Sequence, residues 1–391
     1  MILHVLAPPH TVTTNQDYLF CAFTQKVVKF CKMMKPFFKI IHYGHERSEV
    51  DCHEHVTVMT DDILTKAYGG KSWQDSYCNH STLDIVHHKF KQNVQRELEI
   101  RVEAGDAILC FWGNSMEEAV SMFEEKCFII EPGIGYDGKG CFAPFKIFES
   151  YAHMSYVYGQ LGITHPKRYD AVIPNYFDCD DFEYCEAKDN YFLYLGRMDP
   201  NKGLVIAVEA TRKANAKLIV AGPGDINHLS YKTIPSHVEF VGYADLNKRK
   251  HLLKKAKALF LPTIVLEVFG GVMIEAMLSG TPVISSDWGG IPENNLHGLT
   301  GFRCRNEEQF YWATKNIDKI SSKHCREWAE NNYSMERVAK MYSSYLISLK
   351  RNFRHQTREQ TLQQDYSELA ELDWLNKYYP AIECKRTANY T

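Results

Sequence analysis

Two glutamates, Glu267 and Glu275, bracket the run Phe269-Gly270-Gly271-Val272. Carboxylates accept hydrogen bonds, so a pair of them suits a ligand rich in hydroxyls, such as a sugar or a ribose. The glycines between them let backbone N–H groups come close to a ligand. Where such groups open a helix they carry partial positive charge and hold anions, a diphosphate among them. An anion cradle with hydroxyl acceptors on either side is the chemistry of a nucleotide-sugar site. Either glutamate taken alone also reads as an ordinary residue of a strand–turn–helix unit. Arg197 and Lys202, earlier in the chain, add a planar guanidinium and a point charge. Set beside that helix start, they would neutralise a diphosphate.

The flanking sequence supplies the elements that hold these residues. Ala258–Pro262 is an apolar strand that runs out just before Glu267. Met273, Ile274, Met277 and Leu278 recur at helical spacing and give the following helix a buried stripe. Gly280 is placed as its C-terminal cap, and Pro282 keeps it from continuing. Val283-Ile284 is the next strand, Gly289-Gly290 the turn after it, and Glu293 follows.

The run Glu267-x-Phe-Gly-x4-Glu275 is similar to the Glu-x7-Glu motif of family 4 glycosyltransferases, which have the GT-B architecture. Gly289-Gly290-x-x-Glu293, His297-Gly298-x-Thr-Gly-Phe302, and Leu195-Gly196-Arg197 with Lys202-Gly203 fit the same family. They keep its order over about residues 170–345. The resemblance implies an α/β fold of two doubly wound Rossmann-like domains facing across a cleft. It implies retaining transfer of a sugar from a nucleoside-diphosphate donor, UDP- or GDP-linked, to a hydroxyl acceptor. Arg197 and Lys202 then hold the donor's phosphates, with Phe269, Gly270, Gly271 and Val272 at the diphosphate. Glu275 takes the ribose hydroxyls, and Glu267 is the catalytic residue at the reacting sugar. The family needs no metal or other cofactor. No DxD-type motif occupies the donor loop, and Asp180-Asp181 lies in the linker. No general base is assigned, because the leaving phosphate of a retaining enzyme can take the acceptor's proton. Competing readings are another GT-B enzyme, a phosphorylase or an epimerase, and a non-catalytic nucleotide-sugar-binding protein.

The acceptor side is less defined. Ile2–Ala7 is a strand followed by a helix over Leu19–Met34, so the loop His10–Gln16 should face the cleft. Family members usually carry a glycine pair there. This chain offers the hydroxyls of Thr13 and Thr14, for phosphate or merely as helix caps. Where many members have a histidine, near the end of the strand Phe128–Ile130, this chain has Glu131, with His153 downstream. Either could contact substrate, or neither. Gly222 and Gly242 end two strands of the second domain, beside the cleft. Ile2–Met34 and Glu131–Tyr158 resemble glycosyltransferases carried by phages and other large DNA viruses. The acceptor classes left open are a glycan, a lipid-linked sugar, a protein and a modified nucleic-acid base.

These elements divide the chain into an N-terminal Rossmann-like acceptor domain (1–174), a linker (175–190) and a C-terminal nucleotide-sugar domain (191–349). A tail (350–391) follows, in which Leu362–Tyr379 is long enough to cross back to the first domain. The basic stretch Lys350–Arg358 is either a solvated face or a contact for an anionic acceptor or lipid. The length of 391 residues allows two full cores. A formal charge of −3 gives no global pull toward nucleic acid or membranes. The 12 cysteines form no CxxC pair, which excludes a zinc framework. Met1–Ala7 is too short for a signal peptide and meets Pro8-Pro9. The expectation is a cytoplasmic chain with reduced thiols and no stable membrane span.

Overall fold

In the computed structural model, residues 1–14, 21–69, 81–165, 167, 169–224 and 234–353 are described. The first domain contains β1 (Ile2–Leu6), α1 (Ala22–Met34), β2 (Lys39–His45), β3 (Glu54–Met59), α2 (Asp61–Tyr68) and α3 (Ile85–Arg101). It continues through β4 (Ala107–Cys110), α4 (Glu117–Val120), β5 (Phe128–Ile134), β6 (Phe145–Phe148), α5 (Tyr151–Gln160) and β7 (Ala171–Val172). The second contains β8 (Phe192–Leu195), α6 (Leu204–Lys213), β9 (Leu218–Ala221), β10 (Val238–Phe240), α7 (Leu246–Lys255) and β11 (Ala258–Leu261). It ends with α8 (Gly271–Leu278), β12 (Val283–Ser286), α9 (Ile291–Asn294), β13 (Gly301–Cys304), α10 (Glu307–Asn316) and α11 (Ser322–Tyr333). A long helix, α12 (Met335–Phe353), follows.

Each domain is one parallel sheet. The strand orders are β3-β2-β1-β4-β5-β6-β7 and β10-β9-β8-β11-β12-β13. The central strands β4, β8, β9 and β11 are short unbroken apolar runs buried along their whole length. That is the pattern of strands covered by helices on both faces. Strand order reverses between β1 and β4, and again between β8 and β11, so each sheet has a crevice at the carboxyl ends of those strands. The two crevices are the ligand-binding edges of the α/β, GT-B arrangement.

The crossing between domains differs from expectation. Residues 335–349, expected in the second domain, pack into the first. Val338, Tyr342, Leu346 and Leu349 share a buried core with Val27, Phe30 and Met34 of α1 and with β1. The reason is α12's amphipathic pattern: its apolar positions match the face of α1 that the first sheet leaves uncovered. The chain leaves the first domain at Phe177 and returns at Ser334, side by side, with Phe177 N donating to Tyr333 O (2.8 Å) and Met335 N to Phe177 O (2.9 Å). Leu362–Tyr379 lies outside the described residues. A smaller departure is β5, which runs on past Ile130 through Glu131-Pro132-Gly133. Among the described residues no helix is long and apolar enough to cross a membrane.

Candidate active site

α8 starts at the carboxyl edge of the second sheet. Its N-cap is Gly270 in the left-handed region (φ +82°), and no side chain caps it. No side chain therefore competes for the first N–H groups of the helix, of which Met273 N already donates to Gly270 O at 2.9 Å. Glu267 sits in the β11–α8 connection, and its Oε2 accepts from Lys202 Nζ at 2.7 Å. Lys202 ends a short turn capped by Asp199, and Gly203 (φ +70°) follows it. A Cβ on Gly203 would lie 2.0 Å from Pro262 O, so only glycine lets this turn dock on the end of β11. The glycine thereby brings Lys202 to Glu267. Gly289 and Gly290 hold the other side of the same loop. Gly290 N donates to Glu267 O at 2.7 Å, and a Cβ at Gly290 would meet Val268 O at 2.2 Å.

Glu275 lies one turn into α8. Its Oε2 accepts from Arg249 Nε at 2.8 Å and also from Arg249 Nη2. Two carboxylate–cation pairs, Lys202–Glu267 and Arg249–Glu275, thus stand on either side of the helix start. Arg197 is exposed at the end of β8, and its carbonyl accepts from Tyr194 Oη at 2.9 Å. Phe269 is buried at 2% exposure and packs as a scaffold, while Val272 is half-buried at the helix start. Arg249 was not singled out from the sequence. It lies in a basic helix with Lys248, Lys250, Lys254 and Lys255 beside it, and only the packing of α7 beside α8 distinguishes it.

The first domain closes the site from across the cleft. Lys26 of α1 pairs with Glu149 at 2.9 Å and donates to Gly133 O at 2.8 Å, both side chains being almost fully buried. Burial raises the Glu149 carboxyl pKa, Lys26 opposes the shift, and the negative charge of Glu267 adds to it. Ser150 Oγ donates to Val268 O at 2.6 Å. Glu293 accepts from the backbone N–H groups of Tyr151 and Ala152, at 2.9 and 2.8 Å. Glu293 therefore caps α5 from the opposite domain, where the helix dipole favours a carboxylate. Lys26, Glu149 and Ser150 carry no sequence signal beyond charged or polar residues closing apolar runs.

Several cleft candidates are placed elsewhere. Glu131 is fully buried and accepts from Tyr136 Oη (2.7 Å), Phe142 N (3.0 Å) and Ala143 N (2.9 Å). It fastens the segment after β5 rather than facing substrate; burial raises its pKa to about 7 against those hydrogen bonds. His153 is 2% exposed, in the first turn of α5, with its ring against Phe148 and Tyr156. Burial, with Lys26 adding to it, lowers its pKa to about 4, so it is a neutral packing residue. Thr13 and Thr14 are also buried: Thr13 N donates to Ser48 Oγ at 3.3 Å, and Thr14 O accepts from Gln25 Nε2 at 3.2 Å. They tie the β1–α1 connection to its neighbours rather than projecting hydroxyls to solvent. Asn15 and Gln16 of that loop lie outside the described residues. Gly222 and Gly242 do meet at the sheet edge, where Gly222 N donates to Gly242 O at 3.0 Å.

Residues 181–335 match the family Glycosyl transferases group 1. The chain is similar to an uncharacterized glycosyltransferase of Methanocaldococcus jannaschii, 32% identical over 171 residues, which cover 39% of this chain and 43% of that protein. It is also similar to phosphatidyl-myo-inositol mannosyltransferase of Mycobacterium tuberculosis, 33% identical over 133 residues, covering 30% and 35% of the two chains. The similarity thus spans less than half the length of these relatives. In fold, the chain resembles Anabaena HepE in complex with UDP and glucose, with a TM-score of 0.62 at 14% identity, covering 89% of this chain and 100% of that one. The chain is therefore built on the GT-B architecture, and its residues 181–335 are similar to the glycosyl transferases group 1 family.

Proposed function

We propose that the protein is a retaining glycosyltransferase that moves a sugar from a nucleoside-diphosphate sugar, UDP- or GDP-linked, to a hydroxyl acceptor, without a metal. The observation that carries this reading is the pair of carboxylate–cation contacts flanking the uncapped start of α8. The diphosphate sits on the helix N–H groups, with Lys202, Arg249 and Arg197 around it. Glu275 keeps its Oε1 for a ribose hydroxyl. Glu267 faces the sugar, where its charge offsets the positive charge that develops on the ring. In transfer, the bond from the anomeric carbon to the phosphate oxygen breaks and its electrons leave with the diphosphate. The acceptor oxygen bonds to the same face of the sugar, and its proton passes to the departing phosphate oxygen. The cations and helix start stabilise the charge that builds on that leaving group. The structural kinship with a UDP- and glucose-bound enzyme and the partial kinship with a mannosyltransferase support a hexosyl donor. The acceptor is a glycan, a lipid-linked sugar, a protein or a modified base.

The test is a thermal-shift screen with UDP-, GDP- and ADP-sugars, then turnover of the stabilising donor in excess EDTA. Glu267→Gln keeps the side chain's size and removes its charge. It should lower kcat on the order of a hundredfold while leaving nucleoside diphosphate affinity nearly intact. Full kcat in Glu267→Gln would remove Glu267 from the mechanism. Activity lost in EDTA and restored by magnesium or manganese would contradict the metal-free reading.

A further inference from the structure

Helix α1 carries lysines at 26, 29 and 32, and its C-cap is Lys35. Three of them end on carboxylates: Lys26 on Glu149, Lys32 on Asp178 and Lys35 on Asp51. Lys29 does not. Among the described residues its ammonium makes no ion pair, and it lies over the ring of Phe177, 4.7 Å from the centroid. The side chain is half-buried, and the surrounding protein lowers its pKa by desolvation. A desolvated cation wants an anion, and a ring face returns only part of what water supplied.

The place where Lys29 lies says which anion. Phe177 is at the crossing between domains, and its other neighbour is the start of α8: a Cβ on Gly271 would lie 3.5 Å from Phe177 Cζ. Phe269 stacks on the same ring, with centroids 6.3 Å apart. Glu275, Arg249, Asp181 and Glu149 are the charges that act on Lys29, with Glu275 first among them. Lys29 thus reaches from the first domain to the charged surroundings of the helix start in the second. Its carboxylate neighbour there, Glu275, already holds Arg249.

We propose that Lys29 is the first domain's hold on the donor, its ammonium pairing with the diphosphate bound at the start of α8, so that nucleotide binding bridges the two domains. This rests on the donor site described above. Arg197, Lys202 and Arg249 all belong to the second domain; Lys29 makes the diphosphate a contact shared by both.

The experiment is calorimetry on the full chain with UDP, GDP and ADP at two ionic strengths. For the nucleotide that binds, Lys29→Met should weaken affinity roughly tenfold, the size expected for a lost charge-assisted contact. It should also flatten the salt dependence, which a merely structural lysine would not do. Lys29→Arg should restore most of the affinity, and Lys32→Met, one turn along the same helix, should leave it unchanged. Methionine keeps the apolar contact with Phe177; Lys29→Gln serves as a second variant should Lys29→Met fail to fold. Wild-type affinity and salt slope in both charge-removing variants would overturn the inference while the donor site stands. A wild-type chain that binds none of the three nucleotides would overturn the donor-site reading and this inference with it.

Discussion

Glu275 offers Arg249 one oxygen, Oε2, and no other contact to its carboxylate oxygens is formed among the described residues. The pair is partly buried, so removing either partner leaves the other as an ill-solvated charge. Arg249→Gln and Glu275→Gln should therefore each weaken nucleoside diphosphate binding by about 1.5–3 kcal/mol. The double variant should cost less than the sum, because the two side chains act as one unit. Titration calorimetry on the four proteins of the cycle measures this. Additive losses would mean that the two residues touch the nucleotide independently. The same reasoning separates Glu275 from Glu267, whose partner Lys202 comes from a glycine-fixed turn and whose place is nearer the reacting sugar.

Among the elements, α5 is the one whose first turn serves both domains. Its first turn docks on the second domain through Ser150 and Glu293, while His153, in the same turn, points into the first domain's interior. Burial holds the imidazole neutral, with its pKa lowered to about 4. A depressed folded-state pKa contributes stability above the unfolded value, near 6.5, and that contribution is lost as pH falls toward 4. Denaturant unfolding between pH 7 and 4 should therefore show wild type losing on the order of 2 kcal/mol more than His153→Gln. Parallel pH profiles would mean that His153 is not held neutral. The docking of α5 places this titration at the interdomain joint, so acid should loosen the cleft wall before the second domain's core.

For the whole molecule, the decisive element is α12, which begins in the second domain's last turn and ends in the first domain's core. Leu346 is fully buried there. Leu346→Ala should cost about 2–5 kcal/mol by chemical denaturation, with the first domain failing first. If the loss appears instead in the second domain, followed by nucleotide-protected unfolding, α12 does not belong where the structure places it. The chain crosses between the domains twice at this one joint, at Phe177 outbound and Ser334 inbound.

The residues from Leu195 to Glu293 were legible because their chemistry is local. Gly203, Gly270 and Gly289 mark turns with positive φ, and the apolar runs between Gly203 and Gly270 are the buried strands β9 and β11. Both glutamates, Lys202 and the helix start could be read from that stretch alone. Tertiary structure decided what each of them touches. Parallel sheets are connected by crossovers, so β11 lies beside β8 rather than beside β10, which precedes it. That order brings Lys202 to Glu267 across most of a domain. It also leaves α7 beside α8, which selects Arg249 from a helix of similar cations. Glu131 and His153 are turned away from the cleft by packing that no local pattern encodes: Glu131 by the segment Tyr136 to Ala143 folded over it, and His153, in the first turn of α5, by the rings of Phe148 and Tyr156. The contacts of Ser150, Glu293 and Lys29 cross between domains, and no local pattern encodes a partner that far away in sequence.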